Sequence, residues 1–175
     1  MRERDMLDLL RTRYTRIRPG TNADRYVRAE HARAPWISDY GYGYGQAAAI
    51  ADYVVIDTYG HGAVIGHEVK VSRSDWLTEL RNPAKSEVWR RYCHQWYLVC
   101  PDPSIVRDDL PDGWGLMTLT RGGALRVKVA APVNLSRQEL PLMAAAQLAR
   151  AIAQTAVREC AAAAATPEYS EGETA

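Results

Sequence analysis

The stretch Ala51–Lys70, ADYVVIDTYGHGAVIGHEVK, constrains this chain more than any other. Tyr53-Val54-Val55-Ile56 precedes Gly60-His61-Gly62, and Ala63-Val64-Ile65 follows it. Two apolar, β-branched runs about a glycine-containing connection read as a β-hairpin. With the turn centred on Gly60, opposed residue numbers sum to 120, so Thr58 faces Gly62 and Asp52 faces Glu68. Directly opposed residues share a face, with Cβ atoms about 5 Å apart. Lys70 lies two residues past Glu68 and points the same way. Asp52, Glu68 and Lys70 therefore converge at the end of the hairpin away from its turn. A slip of one residue would send Asp52 to the opposite face. Both faces of the hairpin are largely apolar, which predicts a central position covered on both sides.

Charges that interrupt such an element need a reason, because an unpaired buried charge is costly. Two carboxylates and a lysine on one face suit phosphodiester hydrolysis. That reaction needs negative charge neutralised at the transition state and a water deprotonated near neutral pH, and a divalent cation supplies both. Mg²⁺ takes a few carboxylate oxygens and keeps several waters. Asp52 and Glu68 are the expected ligands of Mg²⁺ or Mn²⁺, with the Val69 backbone carbonyl as a third. Lys70 is expected to serve the water and the phosphate.

The chain of 175 residues has 47% apolar and 25% charged residues, the composition of a soluble globular protein. Residues 1–165 read as one domain, and the acidic tail 166–175 reads as disordered. No apolar run reaches bilayer length, and MRERDMLDLL carries charge where a signal peptide is apolar, so a cytoplasmic location and no membrane are expected. Cys93, Cys100 and Cys160 are odd in number and form no C-x-x-C pair, which argues for buried free thiols. The net charge of +1 is uneven: residues 1–33 hold nine arginines against five acids. Arginine suits bidentate phosphate contacts.

Along the chain, residues 3–17 and 24–34 are predicted as helices. Gly41-Tyr42-Gly43-Tyr44-Gly45 is too glycine-rich for a regular element. It reads as a flexible loop or as a flap whose Tyr42 and Tyr44 stack on bases. Ser72 with Asp75 predicts a capped short helix to Leu80, with Ser72 a cap rather than a catalytic hydroxyl. Asn82-Pro83 opens the next helix, to Cys93, with Glu87 and Arg91 as an i, i+4 pair. Strands are expected at 96–100, 115–120 and 124–130. A long helix over 140–165 is expected to pack through Leu142, Ala146, Ala149, Ala153, Val157 and Cys160. His67, beside Glu68 but on the other face, reads as a packed or surface histidine. His31 reads as a surface residue. This order implies an α/β fold with a central mixed sheet between helical layers.

Asp52 followed by Glu68-Val69-Lys70 resembles the core motif of the PD-(D/E)XK restriction-endonuclease-like nucleases. The longer run Glu68-Val-Lys-Val-Ser-Arg-Ser-Asp75, with Lys85, Trp89, Tyr92-Cys93, the Trp96 strand and Trp114-Gly115-Leu116, resembles the MmcB-type DNA-repair family over residues 24–150. Ala51 stands where the superfamily has proline, and Ile50 where the closer family has arginine. The resemblance implies a restriction-endonuclease-like core and a metal-dependent deoxyribonuclease of DNA repair or phage-type processing. It implies Glu30, on the predicted helix before the hairpin, as a further metal ligand, and Lys85 as a phosphate contact. Arg73, Arg90 and Arg91 follow the site and are expected at the nucleic-acid backbone. DNA is the expected partner, with RNA an alternative substrate. A nucleic-acid-binding module of the same fold that cuts slowly or not at all is the alternative function. Small size without a recognition domain points to a homodimer or a protein partner.

Overall fold

In the computed structural model, residues 1–34, 37–38, 41–42, 49–59 and 61–165 are described. Tyr44, Gly60 at the hairpin turn and the predicted tail lie outside them. The chain forms a six-stranded mixed sheet flanked by helices, with strand order β1-β4-β5-β6-β7-β8. The strands are β1 (Tyr26–Arg33), β4 (Ile50–Asp57), β5 (Ala63–Val69), β6 (Gln95–Cys100), β7 (Gly115–Leu119) and β8 (Leu125–Val129). Strands β2 (Ile37–Ser38) and β3 (Gly41–Tyr42) form a separate two-residue ladder, so Gly41–Tyr42 is paired where the sequence suggested no regular element. The helices are α1 (Glu3–Arg13), α2 (Arg73–Arg81), α3 (Pro83–Arg90) and α4 (Leu142–Ala165). No helix among the described residues is long and apolar enough to cross a membrane.

The predicted hairpin is β4–β5. Its antiparallel rungs run from Tyr53↔His67 to Asp57↔Ala63, and every pair sums to 120. The connections then change character. Strands β5 and β6 pair in parallel, joined by the α2–α3 crossover, and β6 pairs in parallel with β7. Parallel neighbours need such covered crossovers, which is why the hairpin lies inside the sheet.

Residues 24–34 are a correction. The expected helix is strand β1, paired antiparallel with β4 from Tyr26↔Asp57 to Arg33↔Ile50. Its alanines, arginines and glutamate are good helix formers, but such preferences are small beside tertiary contacts, and the ladder to β4 outweighs them. One departure from regular strand geometry is His31, with φ +51°.

Two cores form, one on each face. Met6, Leu7, Leu10 and Tyr14 bring α1 onto Tyr53, Val55, Val69, Tyr97 and Val99. Trp76, Trp89, Trp96 and Leu148 carry α2, α3 and α4 onto Val54, Val64 and Leu98. The tryptophans meet edge to face, Trp114 standing 5.9 Å from Trp76 and 5.8 Å from Trp96. Helix α4 buries a different stripe from the expected one. Ala144, Leu148, Ala151 and Thr155 pack inward, while Leu142, Ala146, Ala149, Ala153, Val157 and Cys160 are exposed. Both stripes have helical spacing, and the docking of α4 against Ala29 and Ala32 of β1 decides which enters the core. Cys93 and Cys100 are buried free thiols, whereas Cys160, expected to be buried as well, is a free thiol on the exposed side of α4.

Candidate active site

Strands β4 and β5 end at the same edge, and Asp52 stands across from Glu68 one step beyond the Tyr53↔His67 rung. Asp52 Oδ2 accepts a hydrogen bond of 2.8 Å from the Val69 N–H. This bond ties the two strand ends together and fixes the carboxylate. Lys70 closes the set: its ammonium pairs with Glu68 Oε1 and lies 4.0 Å from Asp52 Oδ2. The three residues that the hairpin spacing places on one face are thus in contact.

Helices α2 and α3 add two further charges. Ser72 caps α2, its hydroxyl accepting from the Asp75 N–H at 3.2 Å. The fully buried Trp76 anchors that helix, and one turn on it delivers Glu79 into the site. Glu79 Oε2 is 3.3 Å from Lys70 Nζ and 3.6 Å from Lys85 Nζ. Lys85, in the first turn of α3, is also 3.5 Å from Glu68 Oε1. Sequence reasoning missed Glu79. Its signal was a glutamate three residues after Trp76, on the face where a helix buries apolar side chains.

The electrostatics are set by depth. Glu68 is 1% exposed. Burial first, and then the charge of Asp52, push its carboxyl above the usual range, with Lys70 opposing. Burial disfavours the Lys70 ammonium, but Glu68 and Asp52 outweigh it and hold this lysine above its ordinary value. For Glu79, burial is likewise overcome, here by Lys70 and Lys85, and its pKa is lowered. Glu68 Oε2 and Glu79 Oε1 are buried without a hydrogen-bond partner among the described residues. Buried acceptors of this kind demand a proton or a cation. An open cleft of about 290 Å³, lined by Glu3, Val69, Lys70, Asp75, Glu79 and Lys85 among others, gives access from solvent.

Three potential ligands meet at the outer side of Asp52. One ligand atom each from Glu3, His31 and Asp52 lies within 4.8 Å of the others. Glu3 is at the start of α1 and His31 on β1; His31 is exposed, as its reading as a surface residue had it, and neither was expected at the site.

The remaining expected site residues are dispersed. Glu30 is on a strand rather than a helix and belongs elsewhere: it is buried and takes two hydrogen bonds from Arg4, at 2.8 and 2.7 Å, with Arg158 at 3.4 Å. It ties α1 and α4 to β1 instead of joining Asp52. Arg73 is turned into the protein, paired with Asp109 and donating to the carbonyls of Ile105 and Val106. Arg90 binds Glu87 Oε2 at 2.7 Å, so the carboxylate expected to pair with Arg91 is already taken. Arg91 is exposed, and its side chain donates to the Glu87 carbonyl at 3.5 Å. Tyr42 is placed by its backbone alone, paired with Ile37.

His67 lies on the face away from Glu68, completely buried. Its Nδ1 is 3.2 Å from the Tyr53 carbonyl and its Nε2 3.0 Å from the Tyr14 hydroxyl. A carbonyl can only accept, so Nδ1 carries the proton and Nε2 accepts from Tyr14. Burial holds this ring neutral, with its pKa lowered to about 3.

No family model matches the chain, and no curated protein matches it. Among solved structures it is similar to the SPO1766 protein of unknown function from Silicibacter pomeroyi, at 18% identity and a TM-score of 0.53. The likeness covers 98% of this chain and 95% of that one and is a likeness of fold.

Proposed function

We propose that the protein is a restriction-endonuclease-like, PD-(D/E)XK-type nuclease of the MmcB kind, hydrolysing DNA phosphodiester bonds with Mg²⁺ or Mn²⁺ in repair or phage-type processing. One observation carries this reading: Asp52, Glu68 and Lys70 meet at the open end of a buried hairpin, beside a cleft. Hairpin charges at such depth are expensive even when paired, which supports a role for them beyond stability.

The residues fit a divalent cation. Asp52 and Glu68 with the Val69 carbonyl would hold it, and the unsatisfied Glu68 Oε2 is a ready acceptor. When bound, the ion supplies a water of lowered pKa and charge neutralisation at the phosphate. The chain's own groups do the rest. Lys70, kept charged by its three acidic neighbours, is aimed at the same place and can orient the attacking water or steady the phosphate oxygens. Lys85, partly exposed at the cleft wall, can meet the backbone of an entering strand. Glu79 keeps the two ammonium groups apart and in place.

A second reading is favoured by a specific observation. Glu68, Lys70, Glu79 and Lys85 already satisfy much of one another's charge. Such a closed set suits a nucleic-acid-binding module of the same fold that no longer cuts. Incubating the purified protein with single-stranded, double-stranded and branched DNA, and with RNA, with and without Mg²⁺ or Mn²⁺, separates the two. Metal-dependent cleavage of DNA is the expected result. Binding without cleavage under every metal would leave the module.

A further inference from the structure

A cavity of about 220 Å³ lies between α2, α3 and the segment 111–114 that leads into β7. Trp76, Leu80, Pro83, Pro111 and Trp114 give it apolar and aromatic walls, and the two indoles meet edge to face, 5.9 Å apart at 64°. A cavity of roughly 150 Å³ holds benzene, and a drug-sized ligand takes about 300 Å³ or more, so this volume suits a system of one or two rings. The walls ask for more than a hydrocarbon. Trp76 is completely buried, and its indole N–H has no hydrogen-bond partner among the described residues. An indole nitrogen can only donate, and leaving it buried and unpaired is costly, so an occupant that brings an acceptor is favoured. Charge narrows the class. Glu79, Glu87 and Asp112 stand around the cavity against the one guanidinium of Arg90, which already binds Glu87 Oε2 at 2.7 Å. That balance disfavours a phosphate or a carboxylate inside.

The cavity adjoins the reaction site. Glu79 lines both it and the cleft beside Lys70, while Pro83 and Lys85, two residues apart in the first turn of α3, line one each. A strand whose phosphate meets Lys85 therefore runs beside a shared wall. We infer that the cavity takes one unpaired nucleobase of that strand. A base is neutral, planar and rich in ring-nitrogen and carbonyl acceptors, and it enters a pocket only when it is out of the stack. The substrate class is then single-stranded nucleic acid, or a duplex with an unpaired position next to the phosphate attacked. This assignment deepens the nuclease reading and rests on it in placing the strand at Lys85.

The test is equilibrium binding in chelator, without any cleavage step. The full chain is titrated with a single-stranded oligodeoxynucleotide, with its fully paired duplex, with a strand of the same length that is abasic throughout, and with the four free nucleosides. Anisotropy of labelled DNA and intrinsic tryptophan fluorescence are the readouts. The wild type should bind the single strand roughly tenfold or more tighter than the duplex or the abasic strand, the scale of one base–aromatic contact. Trp76→Phe keeps a ring and removes the N–H. It should weaken the single strand several-fold and leave the duplex unchanged, whereas a general structural defect would lower both. The wild-type comparison decides the matter by itself if Trp76→Phe does not fold. Single-strand affinity no greater than that for the duplex or the abasic strand would overturn the inference, as would unchanged single-strand binding in a folded Trp76→Phe. A free nucleoside that binds as tightly as the strand would also overturn it, because the occupant would then not be a base of the strand. Cleavage assays on the same proteins keep the two readings apart. Base-dependent, Trp76-dependent binding in a protein that cuts nothing preserves the cavity's role and removes the nuclease. Metal-dependent cleavage with binding indifferent to the bases does the reverse.

Discussion

At the scale of the residue, the two histidines beside the acidic pair have opposite fates. His31 is exposed at the site, and His67 is sealed on the far face between Tyr14 and Tyr53. Since His67 stays neutral in the fold down to about 3 but titrates near 6.5 when free, the unfolded chain takes up a proton that the folded chain refuses. Its contribution to stability is therefore complete above pH 6.5 and is lost as the pH falls below that value. Thermal melts from pH 7 to pH 4 should show a steeper decline for the wild type than for His67→Gln. Parallel declines would mean that His67 is not held neutral. That His67 faces away from Glu68 was legible in the hairpin's alternation. That Glu3 and His31 approach Asp52 was not, because the first depends on where α1 docks and the second on reading 24–34 as a strand. Glu79 was hidden for the same kind of reason: its position depends on how α2 is anchored by Trp76.

At the scale of the element, the hairpin was readable and its surroundings less so. Register follows from local facts, a glycine-bearing turn and alternating side chains, so Asp52 and Glu68 could be paired from numbering alone. Strand β1 and the buried face of α4 are decided by tertiary contacts: Ala29 and Ala32 are small enough to lie under packed helices in either conformation, and α4 offers two alanine-rich stripes. The packing that holds the hairpin against its neighbour has a clear weak point. At Gly66 a Cβ would overlap the Trp96 ring and come within 2.9 Å of Cys93 Sγ. Gly66→Ala should destabilise by about 1–3 kcal/mol, the usual cost of overpacking a core. Chemical denaturation gives the value directly, and a variant as stable as wild type would show that β5 and β6 are less tightly packed than described.

At the scale of the whole molecule, α1, the hairpin, α2 and α3 all send charged side chains to one end of the sheet, and folding brings like charges together there. Asp52 raises the cost of ionising Glu68. A cation that binds the folded chain relieves this and stabilises it by mass action, by about 2.7 kcal/mol at one hundred times its dissociation constant. Mn²⁺ should raise the melting temperature of the wild type and should do so far less in Asp52→Asn. Identical melts with saturating Mn²⁺ and with chelator would speak against a metal site at Asp52 and Glu68. The central claim is chemical, however, and Lys70 tests it most directly. Lys70→Ala removes no cation ligand and leaves Asp52 and Arg91 in place, so metal binding and most nucleic-acid affinity should persist. The single-turnover rate of DNA cleavage should fall by around 10² or more, the scale of a lost proton-transfer or charge-stabilising group. Asp52→Asn should lose metal binding and cleavage together. A folded Lys70→Ala variant that cuts DNA at the wild-type rate, or a wild type that cuts nothing with Mg²⁺ or Mn²⁺, would contradict the account.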